Sequence, residues 1–244
     1  MAKKEAPKDC IYKEVCGLAG KKDCSEFCQR YIQTQSLISL SNLPPMYQKI
    51  TPLSVLTGDD NKPFPDLQNF KRLKKIKENI VQWVENGQNL YICSTTYGNA
   101  KTTWAVNLML KYFTKIWQKS YGEARGIYVS VPNFVDDMRR RIDKGNEDDL
   151  DYIDYIRNAD LVIWDDLGFS QYATDYQKQQ LMLFIDSRLA SGKSNIYTSN
   201  ITEYEDLVAN VGGRVASRVF HGSEVITFYA KDYRQQAQEG KKLV

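Results

Sequence analysis

LYICSTTYGNAKTTWAVNLMLKYF, residues 90–113, runs from an apolar stretch through small polar residues and one lysine into a helical pattern. Two readings compete: a phosphate-cradling loop that has lost two glycines, and a plain strand–turn–helix that contains Lys-Thr. A phosphate loop works because backbone N–H groups at a helix N-terminus converge on an anion, glycines let the chain approach closely, and the lysine reaches the terminal phosphates. Against the pattern G-x-x-x-x-G-K-[ST], Thr95 holds the first glycine position and Ala100 the last. Gly98 keeps a middle glycine, and Asn99, Lys101, Thr102 and Thr103 complete the stretch. Alanine at position 100 adds a methyl group, which is tolerable at negative φ and costly at positive φ. Trp104, Leu108 and Phe113 suggest a buried face on the helix that follows. An apolar strand before and a packed helix after are the setting the phosphate-loop mechanism requires.

Working outward, LVIWDD at 161–166 is an apolar run that ends in Asp165 and Asp166. Two carboxylates at the carboxyl edge of a parallel sheet stand where such sheets bind their ligands. Asp165 would hold Mg²⁺ together with the Thr102 hydroxyl, and Asp166 would orient and deprotonate an attacking water. The alternative is an Asp-Asp cap on the next turn. A third run, SNIYTSN at 194–200, brings Asn200 to the position where a polar side chain meets a γ-phosphate or that water. GIYVSV and VITFY add further strands, and helices are expected over 102–119, 133–142 and 175–190, from DKGNEDDLDYID, and at TEYEDLVAN. Apolar strands alternating with amphipathic helices predict an α/β fold, a parallel sheet flanked by helices on both faces. Phe70, Leu73, Ile76, Ile80, Trp83 and Val84 recur three or four apart and predict one more helix, rimmed by Lys71, Arg72, Lys74, Lys75 and Lys77.

At 244 residues, 42% hydrophobic and 26% charged, the chain reads as an ordinary soluble protein with one main core. No apolar run approaches the roughly 18 residues a membrane span needs, so no membrane partner is expected. MAKKEAPKDC leads into no apolar segment, which makes the cytoplasm the default compartment. A formal charge of +3 allows local contact with nucleic acid without predicting it. Five of the seven prolines fall within 31–69, which reads as an extended lead-in to the main unit.

Four of the five cysteines, Cys10, Cys16, Cys24 and Cys28, crowd the first thirty residues. In a reducing compartment crowded thiols read better as metal ligands than as disulfides. Zinc is the first choice, because tetrahedral thiolate ligation would fold a fragment too polar to bury a core; an iron–sulfur cluster or unliganded thiols remain open. Cys93 reads as a small core residue and His221, the single histidine, as a surface or packing residue.

In order along the chain, GNAKTTW, LVIWDDLG, SRLASGKSNIYTSN and GGRVASRVF resemble the AAA+ helicase loaders of the DnaC/DnaI type, above all phage-encoded ones, and the related IstB transposition ATPases. The likeness covers about 43–234. It implies an AAA+ P-loop ATPase that binds ATP and magnesium at Gly98–Thr103 and Asp165, with Asp166 and Asn200 acting on the hydrolytic water. It also implies that Arg214 and Arg218 reach the nucleotide of a neighbouring subunit, Arg218 as the arginine finger, and that Arg234 is a sensor-like contact. The implied organisation is a zinc module at 1–30 that binds the replicative DNA helicase, a lead-in at 31–69 and an ATPase unit at 70–244. The implied function is self-association and delivery of the helicase onto single-stranded DNA, with turnover weak or partner-stimulated because Thr95 and Ala100 replace glycines. A transposition ATPase, or an adaptor that binds nucleotide with little hydrolysis, are the alternatives.

Overall fold

The computed structural model describes residues 10–13, 15–19, 21, 24–48, 66–119, 122–134, 136, 149–168 and 174–229. Five strands, β1 (Asn89–Cys93), β2 (Gly126–Ser130), β3 (Leu161–Asp165), β4 (Ser194–Ser199) and β5 (Glu224–Thr227), pair in parallel in the order β2-β3-β4-β1-β5. The helices are α1 (Gln29–Leu40), α2 (Pro45–Gln48), α3 (Leu67–Glu78), α4 (Ile80–Glu85), α5 (Lys101–Ile116), α6 (Asp149–Asn158), α7 (Asp175–Ala190), α8 (Tyr204–Val211) and α9 (Gly213–His221). A single 3₁₀ turn, Trp117–Lys119, extends α5. No described helix is long and apolar enough to cross a membrane.

Strand residues alternate between two cores, as a pleated sheet covered on both faces requires. Leu90, Ile92, Tyr128, Leu161, Ile163 and Ile196 pack with α1, α3, α4 and α5. Tyr91, Cys93, Ile127, Val129, Val162, Trp164 and Tyr197 pack with α6 to α9. The expected α/β sandwich is therefore present, and α7 has the bounds its pattern predicts. Its start is fixed by a capping box: Thr174 accepts from the Gln177 N–H while the Gln177 side chain accepts from the Thr174 N–H at 2.8 Å.

Two expectations change. The helix expected over 70–84 is two, α3 and α4, broken at Asn79, whose φ of −108° and ψ of 23° leave the helical region. Within the lead-in at 31–69, residues 31–40, 45–48 and 67–69 are helical. All its prolines lie at 44 or beyond, so QRYIQTQSLISL is free to wind into α1 and buries Thr34, Leu37 and Ile38. Of the helix expected over 133–142, residues 131–134 and 136 are helical and the rest lies outside the described residues. The N-terminal segment joins the α5-side core through Ile11 and Tyr12, the Tyr12 hydroxyl lying 2.7 Å from Thr34 Oγ1.

A buried arginine ties the second layer together. Arg188 is wholly enclosed and donates to the Ile156 carbonyl at 2.6 Å, Ala159 at 2.8 Å, Ser194 at 2.7 Å and Asn195 Oδ1 at 2.8 Å. It satisfies carbonyls at the end of α6 that have no helical partner and pins them to the start of β4. Burial lowers its pKa to about 10, yet it stays charged at neutral pH. Arg188→Ala leaves those acceptors orphaned beside a cavity, and urea denaturation should show a loss of about 3 kcal/mol or more.

Lys77 acts in the opposite sense. It is buried between α3 and α5, and burial, aided by repulsion from Lys111, lowers its pKa to about 8. Its charged form is disfavoured in the folded state, so stability rises with pH between about 8 and the ordinary lysine value of 10.5. Lys77→Met should stabilise the protein at pH 7 by on the order of 1 kcal/mol, given the solvent that still reaches the ammonium. Thermal melts should show that gain shrinking at pH 9.5.

Candidate active site

β1 ends at Cys93, and the chain turns through residues 94–100 before α5 begins at Lys101. Gly98 has φ 71°, the left-handed region open to glycine. Ala100 has φ 66° and ψ 19°, so the methyl group sits at the position where it is costly. The loop is braced from within: Asn99, 2% exposed, donates to Ser94 Oγ and to Thr96 Oγ1, the latter at 3.1 Å. Lys101 is buried at the mouth of the loop, and its Nζ donates to Asn200 Oδ1 at 2.8 Å, Asn99 Oδ1 at 3.0 Å and the Thr96 carbonyl at 3.2 Å.

β3 delivers the acids. Asp165, buried, accepts from Thr102 Oγ1 at 2.7 Å and Thr198 Oγ1 at 2.7 Å on one carboxylate oxygen, and from the Tyr128 hydroxyl at 2.6 Å on the other. Burial and the charge on Asp165 push the Tyr128 phenol well above its ordinary value, so it remains a donor. Asp166 turns out of the strand with φ 59°, its N–H donating to Thr198 Oγ1 at 3.0 Å. Asn200 joins the two halves: it accepts from Lys101 and donates to Asp166 Oδ1 at 3.3 Å. Although Asp166 reaches solvent, partial burial of its carboxyl and repulsion by Asp165 push its pKa up, while Lys101 pulls it down.

The sheet thus brings together Gly98, Asn99, Ala100, Lys101, Thr102, Asp165, Asp166 and Asn200, with Thr103 half-buried in the first turn of α5. An ammonium, loop and helix N–H groups, a hydroxyl and a carboxylate pair suit a triphosphate with Mg²⁺, which takes one or two carboxylates and fills its shell from phosphate and water. Three contributors were not visible in the sequence: Tyr128, Thr198 and Ser94. The TSN triplet drew notice to Asn200 alone, and nothing marks Tyr128 until strand register puts it on the face of Asp165.

No protein-family model matches the sequence, and no curated protein matches it. Solved structures do. The chain is similar to the DnaC helicase loader, at 18% identity and TM-score 0.59, covering 76% of this chain and 100% of that one. It is similar to DnaI at 16% identity and TM-score 0.56, covering 80% of this chain and 98% of that one. The replication initiator DnaA bound to AMPPCP and single-stranded DNA matches at 18% identity and TM-score 0.56, over 82% of this chain and 56% of that one. At such identities the likeness is one of fold. What they share with this chain is the parallel five-stranded α/β sheet covered by helices.

Within this α/β core the remaining candidates lie elsewhere. Arg214 is exposed on α9, and Arg218, four residues on, is ion-paired with Asp186 of α7 in the same chain. Arg234 lies outside the described residues. His221 packs against Tyr204, ring centroids 4.7 Å apart, and Cys93 is buried as expected.

The expected zinc site finds no support among the described residues. Cys10, Cys16, Cys24 and Cys28 are free, half-buried thiols, and among the described residues no three His, Cys, Asp or Glu side chains form a group able to hold a metal ion. Burial, with repulsion from the other three, raises the Cys10 thiol above its ordinary value. Ile11 and Tyr12 tie this segment to the shared core by burial.

The strain at Ala100 is directly measurable. Ala100→Gly keeps the left-handed φ without the Cβ clash and should raise stability by about 1 kcal/mol. Gly98→Ala should lower it by a similar amount, both read from thermal denaturation.

Proposed function

We propose that this protein is an ATPase that binds ATP–Mg between the 94–103 loop and the acids ending β3, and that it acts in the initiation of DNA replication. The observation that carries the reading is the 2.7 Å contact between Thr102 Oγ1 and Asp165, the hydroxyl–carboxylate pair that would share a magnesium ion. Lys101 would meet the terminal phosphates, Asn200 would orient the water, and Asp166 would accept its proton. Magnesium, held by Thr102 and Asp165, would neutralise charge on the phosphoryl oxygens. Arg214 and Arg218 would act in trans in a self-associated form, Arg218 after leaving Asp186. By analogy with the helicase-loader neighbours, residues 70–244 would be the ATPase unit and the N-terminal segment would engage a replicative helicase for delivery onto single-stranded DNA.

Titration with a fluorescent ATP analogue should give micromolar affinity, lost at least tenfold in Lys101→Ala. No binding at millimolar ATP–Mg would remove the reading. Asp166→Asn should keep nucleotide affinity and abolish hydrolysis. Retention of the helicase on immobilised protein, compared with and without ATP, tests the partner.

A second reading is favoured by one observation. Ala100 strains the loop and Lys101 is already satisfied by three oxygens, as suits an adaptor that binds nucleotide and hydrolyses little. Function retained in Asp166→Asn but lost in Lys101→Ala would select it.

A further inference from the structure

Ser130 is in register with Asp165, and Tyr128 lies two positions behind it. Residues two apart share a sheet face, so the Tyr128 ring runs along the face of Asp165 and its hydroxyl meets Oδ2 at 2.6 Å. Thr102 and Thr198 both donate to Oδ1, at 2.7 Å each, and among the described hydrogen bonds Tyr128 alone reaches Oδ2. Two hydroxyls on one oxygen leave the carboxylate free to swing about that point. The third, on the other oxygen, fixes its plane.

Tyr128 is itself held from outside the sheet. β2 is an edge strand, and the residues after α1 lie against it. The Tyr128 N–H donates to the Ser41 carbonyl at 2.8 Å, its carbonyl accepts from Asn42 Nδ2 at 3.3 Å, and the Tyr47 ring lies 6.2 Å from its own. Asn42 has φ 55°, a conformation asparagine tolerates, which aims its amide at β2.

We propose that Tyr128 is a positioning residue that holds Asp165 in the orientation needed for magnesium, and that the 41–47 segment sets the place of Tyr128. The inference rests on the nucleotide reading above and deepens it. Ligand-orienting hydrogen bonds of this kind typically govern metal affinity by 10- to 100-fold.

The test is the magnesium dependence of fluorescent-ATP binding in the full chain. Tyr128→Phe keeps the ring and removes the hydroxyl; its half-saturating Mg²⁺ should rise about tenfold, while nucleotide affinity in EDTA stays at the wild-type value. Tyr112→Phe is the control. It removes another buried tyrosine-to-aspartate hydrogen bond, to Asp160 Oδ2 at 3.2 Å, and should leave the magnesium dependence unchanged. Asn42→Gly, which keeps the positive φ and deletes the amide, should shift magnesium in the same direction by a smaller factor, and it stands in if Tyr128→Phe fails to fold. An unchanged magnesium midpoint in a variant that still binds nucleotide overturns the inference alone. Wild-type protein that binds no nucleotide overturns the functional reading, and this inference with it.

Discussion

One carboxylate organises the site. Asp165 is buried at the end of β3 and accepts hydroxyls from α5, β2 and β4. An ionised group away from water is tolerated only where such donors replace its hydration. The three donors belong to elements far apart in sequence, so the arrangement exists only if the strand order is right. With β4 between β3 and β1, Thr198 reaches back to Asp165 while Asn200 reaches across to Lys101. The same adjacency carries the ladder past the strand ends: the Ser94 N–H donates to the Ser199 carbonyl at 3.2 Å and the Leu167 N–H to the Thr198 carbonyl at 2.6 Å. Loops that begin from paired backbone are fixed where they start.

Strain is concentrated at the same edge. Ala100 and Asp166 are two of the three described non-glycine residues at positive φ, and both border the phosphate loop or the acid pair. Conformations of this kind persist only where the surroundings over-determine them. For Ala100 the determinant is α5, whose Trp104, Ala105, Leu108 and Phe113 are locked into the core, so the helix cannot shift to relax its first residue. For Asp166 it is the N–H contact to Thr198 and the burial of Leu167 directly after it. The turn aims one carboxylate into the protein and the next into the cleft, giving adjacent identical residues different chemistry.

How much was legible in the sequence follows from which interactions are local. The strands were readable because residues buried on both faces must be continuously apolar, and α7 because its cap and both ends lie in one stretch. The motif residues were readable because phosphate chemistry restricts residue type and spacing over a few positions. What failed was non-local or averaged. Proline density over 31–69 hid a proline-free helix, and a continuous period from Phe70 to Val84 hid the break at Asn79, where Ile80 resumes the buried face. Cysteine spacing suggested a metal, yet spacing says nothing of whether side chains converge. Tyr128 was invisible because its role depends on pairing with a strand about thirty-five residues away.

The N-terminal segment and the acid pair belong to one continuous packing unit. Ile11, Tyr12, Leu37, Leu43 and Tyr128 share a core with Trp104 and Ile163. The Tyr12 hydroxyl, which meets Thr34 midway along α1, also donates to the Thr114 carbonyl of α5 at 3.4 Å, so Tyr12 links α1 to the helix that carries Lys101, while Ser41 just after α1 links it to the strand that carries Tyr128. A force on α1 is therefore delivered to both halves of the site. Contact alone is not coupling, because coupling requires an element with two arrangements that both ends bias. Close-packed β-strands cannot supply one without disturbing the sheet. The junction between α1 and α2 is better suited, since it lies outside the sheet and meets the edge strand β2 through the Ser41 and Asn42 hydrogen bonds and the Tyr47 ring. If the protein transmits anything between its N-terminal segment and its nucleotide site, that junction is where the two arrangements would differ.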